Sequence, residues 1–216
     1  MPVDNHLKDE VTEVKKRIYT AIGIFVLFFA LLGLLCLWAE VPASQVRSSV
    51  LRFHVVANSD SDTDQQNKFA VRDGIANLCA KLFENSQNKQ DSMDKAIQNK
   101  ALIESTAEEI LRQRGSAEQV TVAVRKRFFP TRHYEGVSLP AGVYDTIDVQ
   151  IGKAQGKNFW CVMFPAICLG TSSEINKEMI ENTLPGDAAE LVTKDTPKVK
   201  FKFKLVEILQ NFKNLW

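Results

Sequence analysis

An uncharged apolar run near the N-terminus constrains this chain more than any other feature. The run IYTAIGIFVLFFALLGLLCLWA, residues 18–39, contains no Asp, Glu, Lys or Arg. A helix rises about 1.5 Å per residue, so this segment spans the roughly 30 Å hydrocarbon core of a bilayer. A buried helix of a soluble protein has a polar face, and this one has none. The sequence therefore predicts a transmembrane or signal helix at 18–39.

Charges on the two sides of this helix predict its orientation. Lys15, Lys16 and Arg17 precede it, and Glu40 follows it. Because basic residues stay on the cytoplasmic side, residues 1–17 are expected to be a cytoplasmic leader. The remainder of the chain is then extracytoplasmic.

Two fates are open for the leader. Val41 and Ala43 occupy the small-residue positions of a signal-peptidase site that would be cut before Ser44. The apolar run is, however, longer than the roughly 7–15 residues of a usual secretory signal. The exported part is therefore either secreted or anchored through residues 18–39.

The rest of the composition is that of one ordinary domain without an obvious cofactor. Of 216 residues, 45% are apolar, and 27 basic residues against 26 acidic ones leave a formal charge of +1. No overall field attracts nucleic acid, so nucleic-acid binding is not expected. The sequence has no Gly-x-Ser-x-Gly elbow, no His-Glu-x-x-His and no phosphate-binding glycine loop, so no small-molecule substrate is expected either.

Hydrophobic periodicity predicts an α/β (α+β) domain over residues 49–170, after a short linker at 40–48. In chain order we expect a strand at 50–56, helices at 62–83 and 93–114, and strands at 119–128, 143–151 and 159–165. The last two strands would form a hairpin. This order predicts a mixed or antiparallel sheet covered by two main helices.

Residues 171–216 are predicted to be a C-terminal extension, with a short helix at 173–182. Apolar residues and lysines alternate over 198–205, which is typical of a half-buried strand. Apolar side chains then share one side of a helix over 206–216. Covering the core and contacting a membrane or partner are both open roles for this extension.

The acidic run DSDTD, residues 60–64, raises the question of a metal site. An EF-hand loop needs Gly at its sixth position and Glu at its twelfth, where this chain has Gln65 and Val71. No metal site is expected. Ser61 can instead cap a helix whose first turn carries the acidic residues.

His54 and the cysteines are the candidates for catalysis or covalent pairing. Alternation places His54 on a half-exposed face of the first strand, as a structural residue or as the partner of Cys161 in a Cys/His hydrolase. Cys36 lies in the membrane segment, and Cys79 is expected to be a buried apolar residue. Cys161 and Cys168 either form a disulfide in the oxidising compartment or remain two buried thiols.

Long motifs of this chain resemble the stage II sporulation protein R family of endospore formers. They are LRFHVVANSDSDTDQQNKFAVRD, FFPTRHY, SLPAGVYDTIDVQIG and GKNFWCVMFP followed by Cys168. The resemblance covers roughly residues 46–170. It departs from the family in the turn at 152–158 and after residue 170.

The resemblance implies a signalling protein and not an enzyme. Members of the family are made in the forespore and exported into the space between the forespore and mother-cell membranes. There they activate a membrane-embedded aspartic protease, which removes the pro-sequence of sigma factor E. This protease is the expected partner, while an exported hydrolase and a structural envelope protein are the alternatives.

Contact with that protease is expected from polar and aromatic residues near two strand ends. Arginine and aromatic side chains dominate binding hot spots, although a packed loop also needs aromatic residues. The predicted contact residues are Arg52, His54, Asn58, Asp60, Phe129, Arg132 and Tyr134.

Overall fold

The computed structural model describes residues 5–134, 136–165, 180 and 182–213. Its helices are α1 (Asn5–Ser49), α2 (Asp62–Phe83), α3 (Lys89–Gln98), α4 (Lys100–Gln113), α5 (Gly186–Thr193) and α6 (Pro197–Lys213). Its strands are β1 (Leu51–Val56), β2 (Val120–Phe129), β3 (Arg132–Tyr134), β4 (Val137–Leu139), β5 (Gly142–Ile151) and β6 (Asn158–Phe164). The predicted helix at 173–182 falls largely outside the described residues.

Helix α1 is longer than a bilayer is thick. Its 45 residues correspond to about 68 Å at the usual rise per residue. The helix is long and apolar enough to cross a membrane, and its most apolar window is not buried by the domain. This agrees with the predicted transmembrane or signal helix.

The last turns of α1 belong to the folded domain, so the predicted linker at 40–48 is wrong. Ala39, Ala43 and Val46 are fully buried. They recur at i, i+4 and i+7 and therefore form one stripe of the helix. Glu40 and Arg47 form an ion pair beside this stripe. Burial of the stripe explains why the helix continues to Ser49.

The main sheet is mixed, which confirms the predicted fold class. Its strand order is β2-β5-β1-β6. Strand β1 pairs parallel with β5 and antiparallel with β6, and β2 pairs antiparallel with β5. The predicted hairpin of β5 and β6 is wrong, because β1 lies between these two strands.

Each face of the sheet has its own apolar core. Helices α2, α3 and α4 cover one face, where Phe53, Ile75 and Ile103 belong to the same buried cluster. The end of α1 and helices α5 and α6 cover the other face, together with the small sheet formed by β3 and β4. The protein is therefore a three-layer structure in which helices enclose the sheet from both sides.

One predicted helix is two helices in the structure. The expected helix at 93–114 is divided into α3 and α4 at Asn99, whose φ of −102° and ψ of 18° are not helical. The Asn99 side chain donates a hydrogen bond to the carbonyl of Lys95 at 2.8 Å. Asparagine often ends helices because its side chain competes for backbone hydrogen bonds.

The strand predicted at 198–205 is wrong, because these residues belong to α6. Buried Val199, Phe203 and Val206 recur at helical spacing. The amide of Val199 donates to the hydroxyl of Thr196 at 3.3 Å, and Pro197 is the first helical residue. A threonine N-cap followed by proline is a helix start signal.

The loop that connects β5 to β6 passes over the end of β1, and the residues that follow β1 hold this loop in place. The carbonyl of Ala57 accepts from the amide of Gly156 at 2.9 Å. The side-chain oxygen of Asn58 accepts from the amide of Lys153 at 2.9 Å, and that of Asp60 accepts from the amide of Lys157 at 2.6 Å. These bonds fix the crossing loop, residues 152–157, over the end of β1.

The acidic run also begins α2, as predicted. The Ser61 hydroxyl accepts from the amide of Asp64 at 3.2 Å, which makes Ser61 the N-cap. The Asp64 carboxylate accepts from Ser59 at 2.5 Å and from the side chain of Asn58 at 3.0 Å. The hydrogen bond from Ser59 is the largest cause of the lowered pKa of Asp64.

Replacing Gly156 with alanine tests the fit of the crossing loop. A Cβ at this position would lie 2.2 Å from the carbonyl oxygen of Ser59, which is a backbone atom. We expect Gly156→Ala to lower the free energy of unfolding by about 1–3 kcal/mol, as overpacking does. Urea unfolding followed by tryptophan fluorescence measures this change.

The matched control is Gly186→Ala at the start of α5, where an added Cβ meets no atom within 4 Å. We expect this change to alter the free energy of unfolding by less than about 0.5 kcal/mol. Equal effects of the two substitutions would contradict the close packing of the loop.

Candidate functional site: a buried histidine cluster and its ribbon

Strand β1 is buried on both faces, so the predicted half-exposed face of His54 is wrong. All six residues of the strand are buried, and the exposed fractions of Arg52 and His54 are 0% and 1%. The sequence pattern allowed one solvent-facing side. The C-terminal helices and the β3–β4 ribbon cover that side instead.

His54 is held between the two neighbouring strands. It is opposite Asp148 of β5 and Trp160 of β6 in the sheet register. Its Nδ1 lies 2.5 Å from the Asp148 carboxylate, and its Nε2 lies 2.8 Å from the side-chain oxygen of Asn158. The imidazole stacks on Trp160, with ring centroids 3.9 Å apart. Both ring nitrogens therefore have side-chain partners.

Two arginines of β2 complete what we call the histidine cluster: His54, Asp148, Asn158, Arg125 and Arg127. Arg125 forms an ion pair with Asp148, and the Arg127 Nε lies 2.8 Å from the same carboxylate. Burial alone would raise the pKa of Asp148. Hydrogen bonds from His54, Arg127 and Arg125 oppose this effect, and the net pKa is lowered. The cluster thus contains an ionised, fully buried carboxylate.

Arg52 occupies a neighbouring aromatic cage. Its guanidinium carbon lies 4.2 Å from the ring centroid of Phe129 and 5.1 Å from that of Tyr144. Its Nε donates to the carbonyl of Cys161 at 3.1 Å, and a terminal nitrogen donates to the Tyr134 hydroxyl at 2.8 Å. Burial is the largest cause of the lowered pKa of Arg52. Arg52 thereby joins three strands, β1, β6 and β3.

The β3–β4 ribbon, residues 132–139, is the most accessible part of this site. The Arg132 guanidinium lies 5.7 Å from the ring centroid of Trp160, and Tyr134 reaches inward to Arg52. His133, between them, is exposed and contacts the Ser138 hydroxyl at 2.8 Å. The ribbon is therefore anchored by two side chains and presents the third to solvent.

The seven predicted contact residues fall into three groups. Arg52, His54 and Phe129 are interior, and Asn58 and Asp60 hold the crossing loop through the hydrogen bonds described above. Arg132 and Tyr134 are partly exposed on the ribbon. Direct contact with a partner is therefore open to the ribbon residues and also to Asn58 and Asp60, which are half-buried and exposed, whereas the interior residues can act only by positioning others.

Sequence reasoning missed Asp148, Arg125 and Arg127, although a signal was present. Over 147–151, the last part of β5, every second residue is apolar, and Asp148 is one of the residues between them. In β2 both arginines likewise occupy positions that alternate with the apolar residues. Polar sides on neighbouring strands, with opposite charges, are typical of cross-strand ion pairs. His133 was missed because only its flanking residues matched hot-spot chemistry.

The pairing of His54 with Cys161 in a hydrolase does not form. Cys161 is opposite Phe53 in the register, so its side chain lies on the α2 side of the sheet, whereas His54 lies on the other. Cys161 is also disulfide-bonded. Its predicted partner, Cys168, lies outside the described residues, so that particular pairing stays a prediction.

The other two predictions about cysteines and metals can be compared directly with the structure. Cys79 is a free, buried thiol whose pKa burial raises to about 12, as expected for a packed apolar residue. Within the described ranges, no group of three or more His, Cys, Asp or Glu side chains is arranged around a metal position.

Replacing Asp148 tests the histidine cluster. Asp148→Asn leaves two arginines and His54 without their carboxylate in a buried position, and we expect a loss of about 3–5 kcal/mol of folding stability at neutral pH. The folded-state pKa of Asp148 lies below its ordinary value of 3.8. In the parent protein its contribution is therefore complete above that value and disappears as the pH falls through the folded-state pKa.

Unfolding free energies measured between neutral and acidic pH test the loss of stability and its pH dependence. The Asp148→Asn variant should lack the fall in stability that titration of Asp148 causes in the parent protein. Asp73→Asn is the control, because Asp73 is an exposed aspartate paired with Arg72 and should cost less than about 1 kcal/mol. Equal stabilities of the two variants at neutral pH would exclude a stabilising role for the cluster.

Comparison with known proteins shows that the sequence around this site is similar to one protein family. The sequence profile of the stage II sporulation protein R family matches residues 47–174. The chain is 28% identical over 205 residues to the stage II sporulation protein R of Bacillus subtilis (strain 168), covering 90% of each chain. No solved structure matches the chain. The matched stretch contains the whole histidine cluster and the ribbon.

Proposed function

The chain belongs to the stage II sporulation protein R family, and we propose that it is an exported signal that activates a membrane-embedded aspartic protease. The protease would then remove the pro-sequence of sigma factor E in the mother cell. The observation that carries this proposal is the family match over residues 47–174, which includes most of the exported domain. The signal would act in the space between the forespore and mother-cell membranes.

The orientation of α1 supports an anchored signal. Basic residues 15–17 precede the apolar segment, which favours a cytoplasmic N-terminus and an extracytoplasmic domain. Ala43, the last residue before the candidate cleavage position, is fully buried within α1. Signal peptidase would have to unfold this turn, so the proposal is that the domain remains attached to α1.

Activation by binding, without catalysis by the chain itself, fits the chemistry of the site. Both ring nitrogens of His54 and the Asp148 carboxylate have partners within the protein. Cys161 is disulfide-bonded and therefore is not a free nucleophile. These groups are suited to holding the sheet and the ribbon in place.

The proposed contact surface is the ribbon. His133 is exposed there and Arg132 is partly exposed, while Tyr134 and Arg52 hold the ribbon against the sheet. Arg132 and Tyr134, both partly exposed, are of the residue types that are enriched in binding hot spots. His54 would contribute indirectly, through Trp160, which lies beneath Arg132.

Co-expression of the full chain with the protease and pro-sigma-E, outside sporulation, tests the proposal. We expect pro-sequence removal only when the chain is present. The double change Arg132→Ala with His133→Ala should weaken activation about five- to thirty-fold, corresponding to about 1–2 kcal/mol of binding free energy. The measurement is the ratio of mature to precursor sigma factor at equal amounts of membrane-bound chain.

Lys81→Ala is the matched control, because Lys81 is exposed on α2, on the other side of the sheet. It should leave processing unchanged. Processing that is independent of the chain would overturn the signalling role. Processing that depends on the chain but is equal in all variants would retain the role and exclude the ribbon as its contact surface.

A further inference from the structure

Helix α6 exposes an apolar stripe on the side opposite its buried face. The stripe consists of Phe201, Leu205, Ile208 and Phe212, which recur at i, i+4, i+7 and i+11, and of these Leu205 is partly buried and also packs against the core. Phe201, Ile208 and Phe212 are 49%, 46% and 64% exposed. Three large apolar side chains in a row on one exposed helix face are typical of an interaction surface.

The same helix is strongly basic. It carries five lysines and one glutamate, and three exposed lysines, at positions 198, 200 and 204, flank the beginning of the apolar stripe, while Lys202 is buried against Trp38. An amphipathic helix that combines aromatic residues with lysines is suited to the interface of an anionic bilayer.

Two contacts place α6 at the point where α1 leaves the membrane. The Lys202 ammonium lies 4.3 Å from the ring centroid of Trp38, and the Gln210 side chain donates to Glu40 at 2.8 Å. Trp38 is the last aromatic residue of the apolar segment, and tryptophan is enriched at membrane–water interfaces. Helix α6 therefore lies at the level of the predicted membrane surface.

The spacing of these contacts also gives the direction of α6. Trp38 and Glu40 are about 3 Å apart along α1, whereas Lys202 and Gln210 are about 12 Å apart along α6. Helix α6 must therefore cross α1 instead of running beside it. When α1 spans a bilayer, α6 lies along the bilayer surface.

The apolar stripe is on the membrane side of α6. Lys198 lies 5.7 Å from the Trp38 ring centroid, and Leu205 and Phe212 follow it at i+7 and i+14, in the same row of the helix. On the opposite flank, Lys200 and Lys204 line a cavity that they share with the ribbon. The row that begins with Lys198 beside Trp38 thus continues into the apolar stripe, whereas the flank that faces the ribbon carries Lys200 and Lys204.

We propose that α6 is an interfacial helix that docks the domain on the outer surface of the bilayer spanned by α1. The stripe would enter the boundary between headgroups and acyl chains, and Lys198, which is exposed beside Trp38, would bind anionic headgroups. This inference does not depend on the signalling role. Docking of α6 would hold the ribbon just above the membrane surface, on the side of α6 that faces away from the lipid.

Site-specific fluorescence in vesicles tests this docking. The full chain, with Cys36→Ser to remove the thiol in the membrane segment, is reconstituted into phosphatidylcholine–phosphatidylglycerol vesicles. An environment-sensitive probe is attached at Phe201→Cys or, as the matched control, at the adjacent Lys200→Cys on the polar flank. We expect a blue-shifted emission and quenching by nitroxide-labelled lipids at position 201, and neither at position 200.

Three outcomes would overturn the proposal. The first is a probe at position 201 that remains in water. The second is equal quenching at positions 200 and 201, because the helix would then lack the proposed orientation. The third is a blue shift that depends on the ratio of protein to lipid, which would assign the stripe to a second copy of the chain. Replacing the anionic lipid with phosphatidylcholine should reduce quenching at position 201, and unchanged quenching would exclude the binding of anionic headgroups by Lys198.

Discussion

Helix α1 does not end where the apolar segment ends, and the arrangement of the domain depends on this continuity. Its last turns contribute Ala39, Ala43 and Val46 to the core beneath the sheet. The helix continues through Pro42 to Ser49, so no flexible linker remains in which the domain could turn. When α1 crosses a membrane, as proposed, the direction of the helix therefore sets the orientation of the sheet, the ribbon and α6. For a protein proposed to act on a partner within a nearby membrane, such a fixed orientation presents one surface consistently.

The second organising feature is the polar layer on the side of the sheet that α1 covers. A buried carboxylate is costly unless it is paired, and Asp148 is paired with groups from both neighbouring strands. His54 connects that carboxylate to Trp160, and Arg52 connects the sheet to Tyr134. The ribbon therefore rests on a set of directional contacts and not on apolar packing alone. These directional contacts fix the position of the ribbon more narrowly than apolar packing alone would fix a loop of the same length.

Local patterns predicted the elements whose partners are near in sequence or whose period is clear. Helix α2, its Ser61 cap and the main strands follow from periodicity and capping. The lysines of 198–205 alternate at a period of two and predict a strand for this first half of α6, although Thr196 and Pro197 mark a helix start. The second half lies within the helix predicted over 206–216. The histidine cluster was out of reach, since it forms only when β1 lies between β5 and β6. Asp148 is 94 residues from His54, and no local rule specifies that pairing.

Thiol accessibility at two adjacent positions of α1 tests the continuity of the helix most directly. Ala43 is fully buried and Ser44 is exposed. Ala43→Cys and Ser44→Cys are made separately in the full chain with Cys36→Ser, and native membranes are treated from the outer side with a membrane-impermeant maleimide. The structure predicts rapid labelling at position 44 and protection at position 43 until the domain is unfolded. Equal labelling at both positions would contradict the account, because residues 39–49 would then be a linker outside the fold.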